Sequence, residues 1–360
     1  MRSPCPNLLS LRLGRAASER QGTARLVNIS VVIPNFNGAH LLDDCLGSLR
    51  RQSLEEFEVV LVDDASTDDS IGVAKRLFPG IRIVELSKNA GFAAASNAGI
   101  RESSGDLLFL LNNDTELAPT CLSELAKVCG EEPLSGMVAP KILNFYDRTI
   151  IDSVGGLLVT LDAIGNGRGR GEIDTGQYDA EREVFFPSAC AAVYRREMLN
   201  EIGLFPEDFR AYCEDTDLGL RARWAGWSAV AAPGAIIFHK YSDTVGAYSA
   251  SKLFLVERNR IAALLRNYPI TLLPITVPVS IYRYGLMAFS ALTGRGRGEA
   301  VARVGAPALL LALVRAWREA LLSARRQLAT RPRLKRVSTF NFVRLLLRHR
   351  LAIRRLVLTR

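Results

Sequence analysis

From Asn28 the chain repeats one pattern: a short apolar run, a polar break, then apolar residues at helical spacing. Ile29-Ser30-Val31-Val32-Ile33 is β-branched and stops at Pro34, which reads as a buried strand. From Ala39 to Arg51, Leu41, Leu42, Cys45, Leu46 and Leu49 share one side of a helix. Phe57 to Val62 predicts a second strand, and Asp68 can cap a helix running to Phe78. Ile81 to Leu86 predicts a third strand, Ala93 to Arg101 a helix of small residues, and Leu107 to Leu111 a fourth strand. Strand and helix alternate, which is the signature of a parallel sheet with crossover helices.

From residue 140 the pattern loosens. Residues 155–176 are rich in Gly, carry Arg168 and Arg170, and read as a flexible loop. Val184 to Phe186 and Ala189 to Tyr194 predict strands of a second, mixed part of the sheet. Glu214 to Ala225 reads as a helix stopped by Gly226. Ser228 to Ala231 and Ala235 to Phe238 predict two short strands, and residues 247–266 a helix. Asn267 to Tyr282 then runs without a charge but is interrupted by Pro269, Pro274 and Pro278. That is marginal for a span, which needs roughly 20 apolar residues. Val304 to Val314 is a second apolar run. Phe340 to Leu358 mixes apolar residues with Arg344, Arg348, Arg350, Arg354 and Arg355 as an imperfect amphipathic helix.

Charge divides the chain in the same places. Residues 1–25 carry five Arg against one Glu, a balance of +4. Residues 26–294 carry 24 Lys and Arg against 34 Asp and Glu, or −10; residues 295–360 carry 17 against two, or +15. An acidic body does not suit nucleic-acid binding, which needs positive charge on the folded face. A basic tail beside apolar runs suits an anionic membrane surface. The six cysteines form no CxxC pair, so neither a zinc site nor a disulfide framework is indicated.

In an open parallel sheet, ligands sit beyond the carboxyl ends of the strands. Here all four predicted strands end in Asn or Asp: Pro34-Asn35-Phe36-Asn37, Asp63-Asp64, Asn89 and Asn112-Asn113-Asp114. Asn and Asp also favour turns and helix starts. Capping explains any one cluster, but four on one edge exceed what it needs. No GxGxxG and no GxxxxGK[ST] occurs, so a dinucleotide-binding or P-loop enzyme is not indicated. Asp114 suits a hard cation that bridges phosphates. A second cluster, Glu214-Asp215-Thr216-Asp217, opens a helix. One acid there answers the helix dipole; three crowded ones cost energy unless a ligand or shifted pKa relieves them. Asp215 and Asp217 would point about 200° apart and should not share a role. His239 follows an apolar run and is a ligand candidate.

These segments, VVIPNFNG (31–38), VVLVDDASTDDS (59–70), NAGFAAASNAG (89–99), GDLLFLLNNDTEL (105–117), EIGLFPEDFRAYCEDTDLGLRARWAGW (201–227) and FHKYSDT (238–244), resemble glycosyltransferase family 2 in the same order. The resemblance covers about residues 28–265 and is nearest to bacterial rhamnosyltransferase-like members. It implies an α/β fold of the GT-A nucleotide-diphospho-sugar transferase type, with a Rossmann-like mostly parallel sheet and a helical basic C-terminal extension. The implied domains are a basic, flexible extension at 1–26, a catalytic domain at 27–266 and a helical membrane-associating region at 267–360.

The resemblance also implies roles. Pro34, Asn35, Asn37, Asp63, Asp64, Asn89, Asn97 and Asn113 would bind the nucleotide-diphospho-sugar donor, with Asp63 supporting the loop. Asp215 would be the catalytic base, paired with Glu214. Asp114 and His239 would hold Mg²⁺ or Mn²⁺. Where the family's DxD motif begins with Asp, this chain has Asn112, which predicts weaker metal affinity. The expected activity is inverting transfer of a rhamnose-like hexose to a hydroxyl of a lipid-linked or cell-surface glycan. The expected location is the cytoplasmic face of a bacterial plasma membrane, peripheral or partly inserted. A polyprenyl-phosphate sugar synthase, with the same donor class but a phosphate acceptor, is the alternative. No nucleic acid is expected as a partner.

Overall fold

The computed structural model describes residues 28–240, 249–294 and 305–358. The extension expected at 1–26, residues 241–244 of the last motif, the start of the helix expected at 247 and Val304 lie outside the described residues.

The first half follows the hydrophobic pattern. It runs β1 (Ile29–Asn35), α1 (Leu42–Arg50), β2 (Glu58–Asp63), α2 (Ser70–Leu77), β3 (Arg82–Glu85), α3 (Phe92–Glu102) and β4 (Leu107–Leu111). β1 lies parallel to both β2 and β4, and β2 parallel to β3. Every residue of β1 and β4 is buried, as in a sheet covered on both faces. Alternate side chains feed two cores. Val32, Val60, Val62 and Leu110 meet Ala93 and Ile100 of α3. Val31, Ile33, Leu61 and Phe109 meet Leu42, Cys45 and Leu46 of α1. The small residues of α3 let it approach closely: a Cβ on Gly99 would stand 2.4 Å from Val32 Cγ1.

The second half is mixed. It runs β5 (Thr115–Leu117), α4 (Cys121–Glu131), β6 (Ser135–Asn144), β7 (Ile151–Val154), β8 (Leu157–Val159), β9 (Gly165–Gly167), β10 (Glu183–Val184), β11 (Ala191–Arg195), α5 (Arg196–Ile202), α6 (Glu214–Trp224) and β12 (Ser228–His239). β11 is antiparallel to β4 and β6, and β12 is parallel to β6. The sheet order is therefore β10-β12-β6-β11-β4-β1-β2-β3. The two strands expected at 228–231 and 235–238 are one strand, with a register shift between Ala232 and Ile236.

The reading of 155–176 as a flexible loop is corrected. The segment holds the β8–β9 hairpin, and its arginines are engaged: Arg168 pairs with Glu181, and Arg170 lies 3.1 Å from Asp152. Its glycines allow close backbone approach rather than mobility. A Cβ on Gly156 would stand 2.2 Å from the carbonyl oxygen of Phe186, and one on Gly167 2.1 Å from that of Asp152.

The chain continues through α7 (Ala250–Asn267), α8 (Leu273–Thr293), α9 (Ala306–Ala329), α10 (Thr339–Arg348) and α11 (Ile353–Leu358). The boundary expected at 266/267 is not a structural one. Tyr268, Phe342 and Leu346 are buried in the same core as β1 and β4. Phe342 stacks on Trp224 with ring centroids 3.9 Å apart, and the Leu351 amide donates to the Val159 carbonyl at 2.9 Å. The Leu- and Arg-rich segment 340–358 thus belongs to the body. Between the hairpin, α7 and α8 sits a buried set of four charges. Arg283 lies 2.8 Å from both Asp162 and Glu257, and Arg260 lies 2.8 Å from Glu257 and 3.6 Å from Asp162.

Candidate functional site

A cavity of about 610 Å³ opens beyond the carboxyl ends of β1, β2 and β4. One wall is the polar edge of the parallel half. The opposite wall is the β8–β9 hairpin, the segment 210–216 and the first turns of α7. Pro34, Asn35, Asp64, Asn89, Asn113, Asp114, Glu214, Asp215 and His239 all line it. Residues far apart in sequence meet here because each follows the end of a strand or opens a helix on one edge of the sheet.

The residues expected on the donor side hold one another. Asn113 donates to Asn35 Oδ1 at 2.7 Å. The Asp64 carboxylate accepts from the amides of Ala90 and Gly91 at 2.7 and 2.8 Å, which fixes the turn after β3. Asn89 Oδ1 accepts from Arg210 at 2.9 Å.

Two expected donor contacts, Asn37 and Asn97, do not line the cavity, and Asp63 supports the neighbouring loop as expected. Asn37 has φ 49° and accepts from the Thr67 amide at 2.7 Å, so its side chain ties two turns together. Asp63 accepts from the Ser66 amide at 2.9 Å and supports that same turn. Asn97 faces away, on the other side of α3, where it clasps Phe205 and Glu207 through bonds of 2.9–3.0 Å. Its place on the helix decides this, because the cavity-facing end of α3 is Phe92 and Ala95.

At the end of β12, His239 Nε2 lies 3.4 Å from Asp114 Oδ2 and Nδ1 lies 2.8 Å from Asp152 Oδ2. Burial disfavours the imidazolium, but Cys190, Asp114 and Asp152 outweigh it, and the ring titrates well above its usual range. Asp114 Oδ1 and Asn112 Oδ1 are buried without a hydrogen-bond partner. Among the described residues no three His, Cys, Asp or Glu side chains are grouped to hold a metal by themselves. The orphaned Asp114 oxygen beside the imidazole, with the orphaned Asn112 oxygen on the same cavity, nevertheless fits a hard cation that takes its remaining ligands from phosphate and water. Asn112 costs the site a charge but keeps an oxygen there.

Glu214 and Asp215 stand on the far wall. They follow a contorted segment in which Arg210, Tyr212 and Cys213 have φ of 61°, 71° and 64°. The Asn259 side chain of α7 holds that segment by donating to the carbonyls of Phe209, Ala211 and Tyr212 at 2.8–2.9 Å. Glu214 is buried, and its Oε2 has no partner. Burial and the neighbouring Asp215 charge push its carboxyl up to about 8. Asp215 is partly exposed and accepts from the amides of Thr216 at 2.7 Å and Ala189 at 3.3 Å. Burial also raises its pKa, against those hydrogen bonds. Asp217 points elsewhere, to Arg221 and Asn267 at 2.8 Å, as the helical angle between 215 and 217 requires.

Sequence reasoning missed Asp152, Asn259 and Lys252. Asp152 and Asn259 act on the site from behind its wall, and no local motif marks either. Lys252 lines the cavity, with its ammonium 5.2 Å from the centre of the Tyr212 ring.

The profile described as "Glycosyl transferase family 2" matches residues 30–203. The chain is 30% identical over 239 residues to the uncharacterized glycosyltransferase YwdF of Bacillus subtilis (strain 168), covering 62% of this chain and 78% of that one. It is 26% identical over 249 residues to the N-acetylglucosaminyl-diphospho-decaprenol L-rhamnosyltransferase of Mycobacterium tuberculosis, covering 62% and 80%. Among solved structures, S. aureus TarS 1-349 in complex with UDP-GlcNAc superposes with a TM-score of 0.52 at 19% identity, over 84% of this chain and 88% of that one. The mannosyltransferase PcManGT from Pyrobaculum calidifontis does so with a TM-score of 0.50 at 18% identity, over 89% and 94%. The strand-end cavity, the sheet order and these relatives agree: the chain is a glycosyltransferase with a GT-A fold and belongs to glycosyl transferase family 2.

Proposed function

We propose that this glycosyltransferase moves a rhamnose-like hexose, with inversion, from a nucleotide diphosphate to a hydroxyl of a lipid-linked glycan at the cytoplasmic face of a bacterial plasma membrane. The observation that carries the reading is the facing of two walls across one cavity. Asp114, His239 and the Asn-rich strand ends form one wall, and Glu214 with Asp215 the other. Asp215 is the base because it is the more accessible of the pair, while Glu214 is buried and holds its proton at neutral pH. The Asp215 carboxylate takes the acceptor's hydroxyl proton. The acceptor oxygen bonds to the anomeric carbon as the bond from that carbon to the diphosphate breaks, and the nucleoside diphosphate leaves. No protein nucleophile is required. Asp114 and His239 would hold Mg²⁺ or Mn²⁺, which when bound offsets charge on the leaving diphosphate. The mycobacterial relative, named for transfer of L-rhamnose to N-acetylglucosaminyl-diphospho-decaprenol, supports the acceptor class.

The membrane surface rests on helices built inside out. α8 buries Thr276, Ser280, Arg283 and Ser290 against the body and turns Ile275, Ile281 and Leu292 outward, the last 88% exposed. α9 buries Ala312, Ala316 and Ala320 and exposes Leu310, Leu311, Leu321 and Leu322. In water a surface helix does the reverse. The segment Ile270–Thr293 is also long and apolar enough to cross a bilayer by length and composition. Together with the +15 charge of residues 295–360, this supports an anionic lipid surface as the partner of that face.

The test is Asp215→Asn assayed with dTDP-rhamnose, UDP-sugars and GDP-sugars against a lipid-linked N-acetylglucosamine acceptor. Transfer is expected to vanish while donor binding persists. Transfer by the variant at the wild-type rate refutes the base assignment.

A further inference from the structure

Asp152 lies outside the cavity, yet its side chain reaches His239 from behind. The backbone arranges this. β7 pairs with β6 through Ile142↔Ser153 and Leu143↔Ile151, with a register shift between them, so Asp152 is the extra residue of a bulge. A bulge re-aims the side chain it carries. Gly167 packs against the same spot, its absent Cβ leaving room for the Asp152 carbonyl. Asp152 Oδ2 is 2.8 Å from His239 Nδ1, and Oδ1 is 3.1 Å from Arg170. An ionised carboxylate only accepts, so Nδ1 is the donor. In the metal-free ring Nε2 also carries a proton, and a cation that displaces it meets the lone pair of Nε2. That nitrogen points to Asp114 Oδ2, 3.4 Å away, beside the unpartnered Asp114 Oδ1.

We propose that Asp152 is a positioning residue: it fixes His239 as the Nδ1–H tautomer and presents the Nε2 lone pair to a divalent cation shared with Asp114, with Arg170 holding Asp152 in place. The inference rests on the metal reading above and extends it to residues on the Gly-rich hairpin side. A carboxylate behind a ligating imidazole orients the ring and raises its basicity; loss of such a partner typically weakens metal binding by about 10–100-fold.

The experiment has two readouts, neither of which is turnover. Mn²⁺ is titrated into the full chain and its Asp152→Ala and Asp152→Glu variants, with free Mn²⁺ followed by electron paramagnetic resonance. The expected result is binding weakened by about 10–100-fold in Asp152→Ala and largely recovered in Asp152→Glu. Imidazole nitrogen NMR of the Mg²⁺-loaded wild type reads the tautomer directly. The chain has three histidines, so the His239 signal is identified by its loss in His239→Gln. Nδ1–H is expected. Wild-type protein that binds no Mn²⁺ overturns the metal reading and this inference with it. Wild-type binding that Asp152→Ala leaves unchanged, or a His239 ring protonated on Nε2 alone, overturns the inference and leaves the metal reading standing. The wild-type tautomer decides the question even if Asp152→Ala fails to fold.

Discussion

Asn259→Ala should separate activity from stability. The Asn259 amide donates to three carbonyls of the segment that leads into Glu214 and Asp215. That segment contains Arg210, Tyr212 and Cys213 at positive φ, none of them glycine. Left-handed backbone costs roughly 1–2 kcal/mol per residue, so about 3–6 kcal/mol is stored in the three. Removing the amide takes one donor from each of the three carbonyls, of which Phe209 keeps Arg258 and the Ala211 amide, at a cost of about 1–3 kcal/mol for each group left unsatisfied. Relaxation of the segment returns part of the stored strain, so the two effects oppose each other and net stability should change by less than about 2 kcal/mol. Activity has no such compensation. A shift of about 1 Å in a catalytic group can cost about 100-fold in rate. The assay is transfer kinetics beside urea denaturation, with donor affinity as control. Asn35 ends β1 and Asp64 follows β2, away from this segment, so donor affinity should hold. A variant that transfers at the wild-type rate, or one that loses stability in proportion to its rate, would refute the reasoning.

Other outcomes follow from the same structure. Arg283→Met should destabilise the chain by about 3–5 kcal/mol at pH 7 in urea denaturation, because it strips a buried partner from Asp162 and Glu257. Burial pushes both carboxyls up, but Arg283 and Arg260 outweigh it and hold them below the usual carboxylate range. The stability they lend is therefore present above that range and lost as pH falls through their folded values, so the gap between variant and wild type should narrow in acid. A gap below about 1 kcal/mol at pH 7 would contradict the assignment. Glu214→Gln copies the neutral form of a group raised to about 8, so transfer at pH 7 should persist and the alkaline decline in kcat/KM should disappear. Because that pKa is raised, the folded state also loses stability as pH rises from 4.5 towards about 8, and the variant should lack that slope. Ile281→Ser with Leu292→Ser should reduce co-sedimentation with anionic vesicles, and the wild type should bind them better than neutral ones; equal binding to both would argue against a charged lipid surface.

Much of this protein was legible before its fold. The alternation of apolar runs and helical spacing sets out β1 to β4 and α1 to α3; β1, β2 and β4 are buried and read as near-continuous Val, Leu and Ile, while β3 is half-exposed at the sheet edge. The Asn and Asp residues that end them mark the cavity edge for the same topological reason. Pattern also separates Asp215 from Asp217, since helix geometry alone turns them apart.

Tertiary structure decided the rest. Glycines at 155–176 look like mobility in sequence, but Gly156 and Gly167 are required by backbone that passes within reach of a Cβ. The Leu- and Arg-rich C-terminus looks detachable, yet Phe342 is stacked on Trp224 in the main core. Asn97 reads as a donor contact, but its helical position turns it to Phe205. Asp152 and Asn259 carry no motif, because they act through His239 and the 209–212 carbonyls across gaps of 87 and up to 50 residues. Periodicity and strand-end chemistry are local properties of a sequence. Which side chain stands behind a ligand or a loop depends on strand register and helix packing, and those are set only when the chain closes on itself.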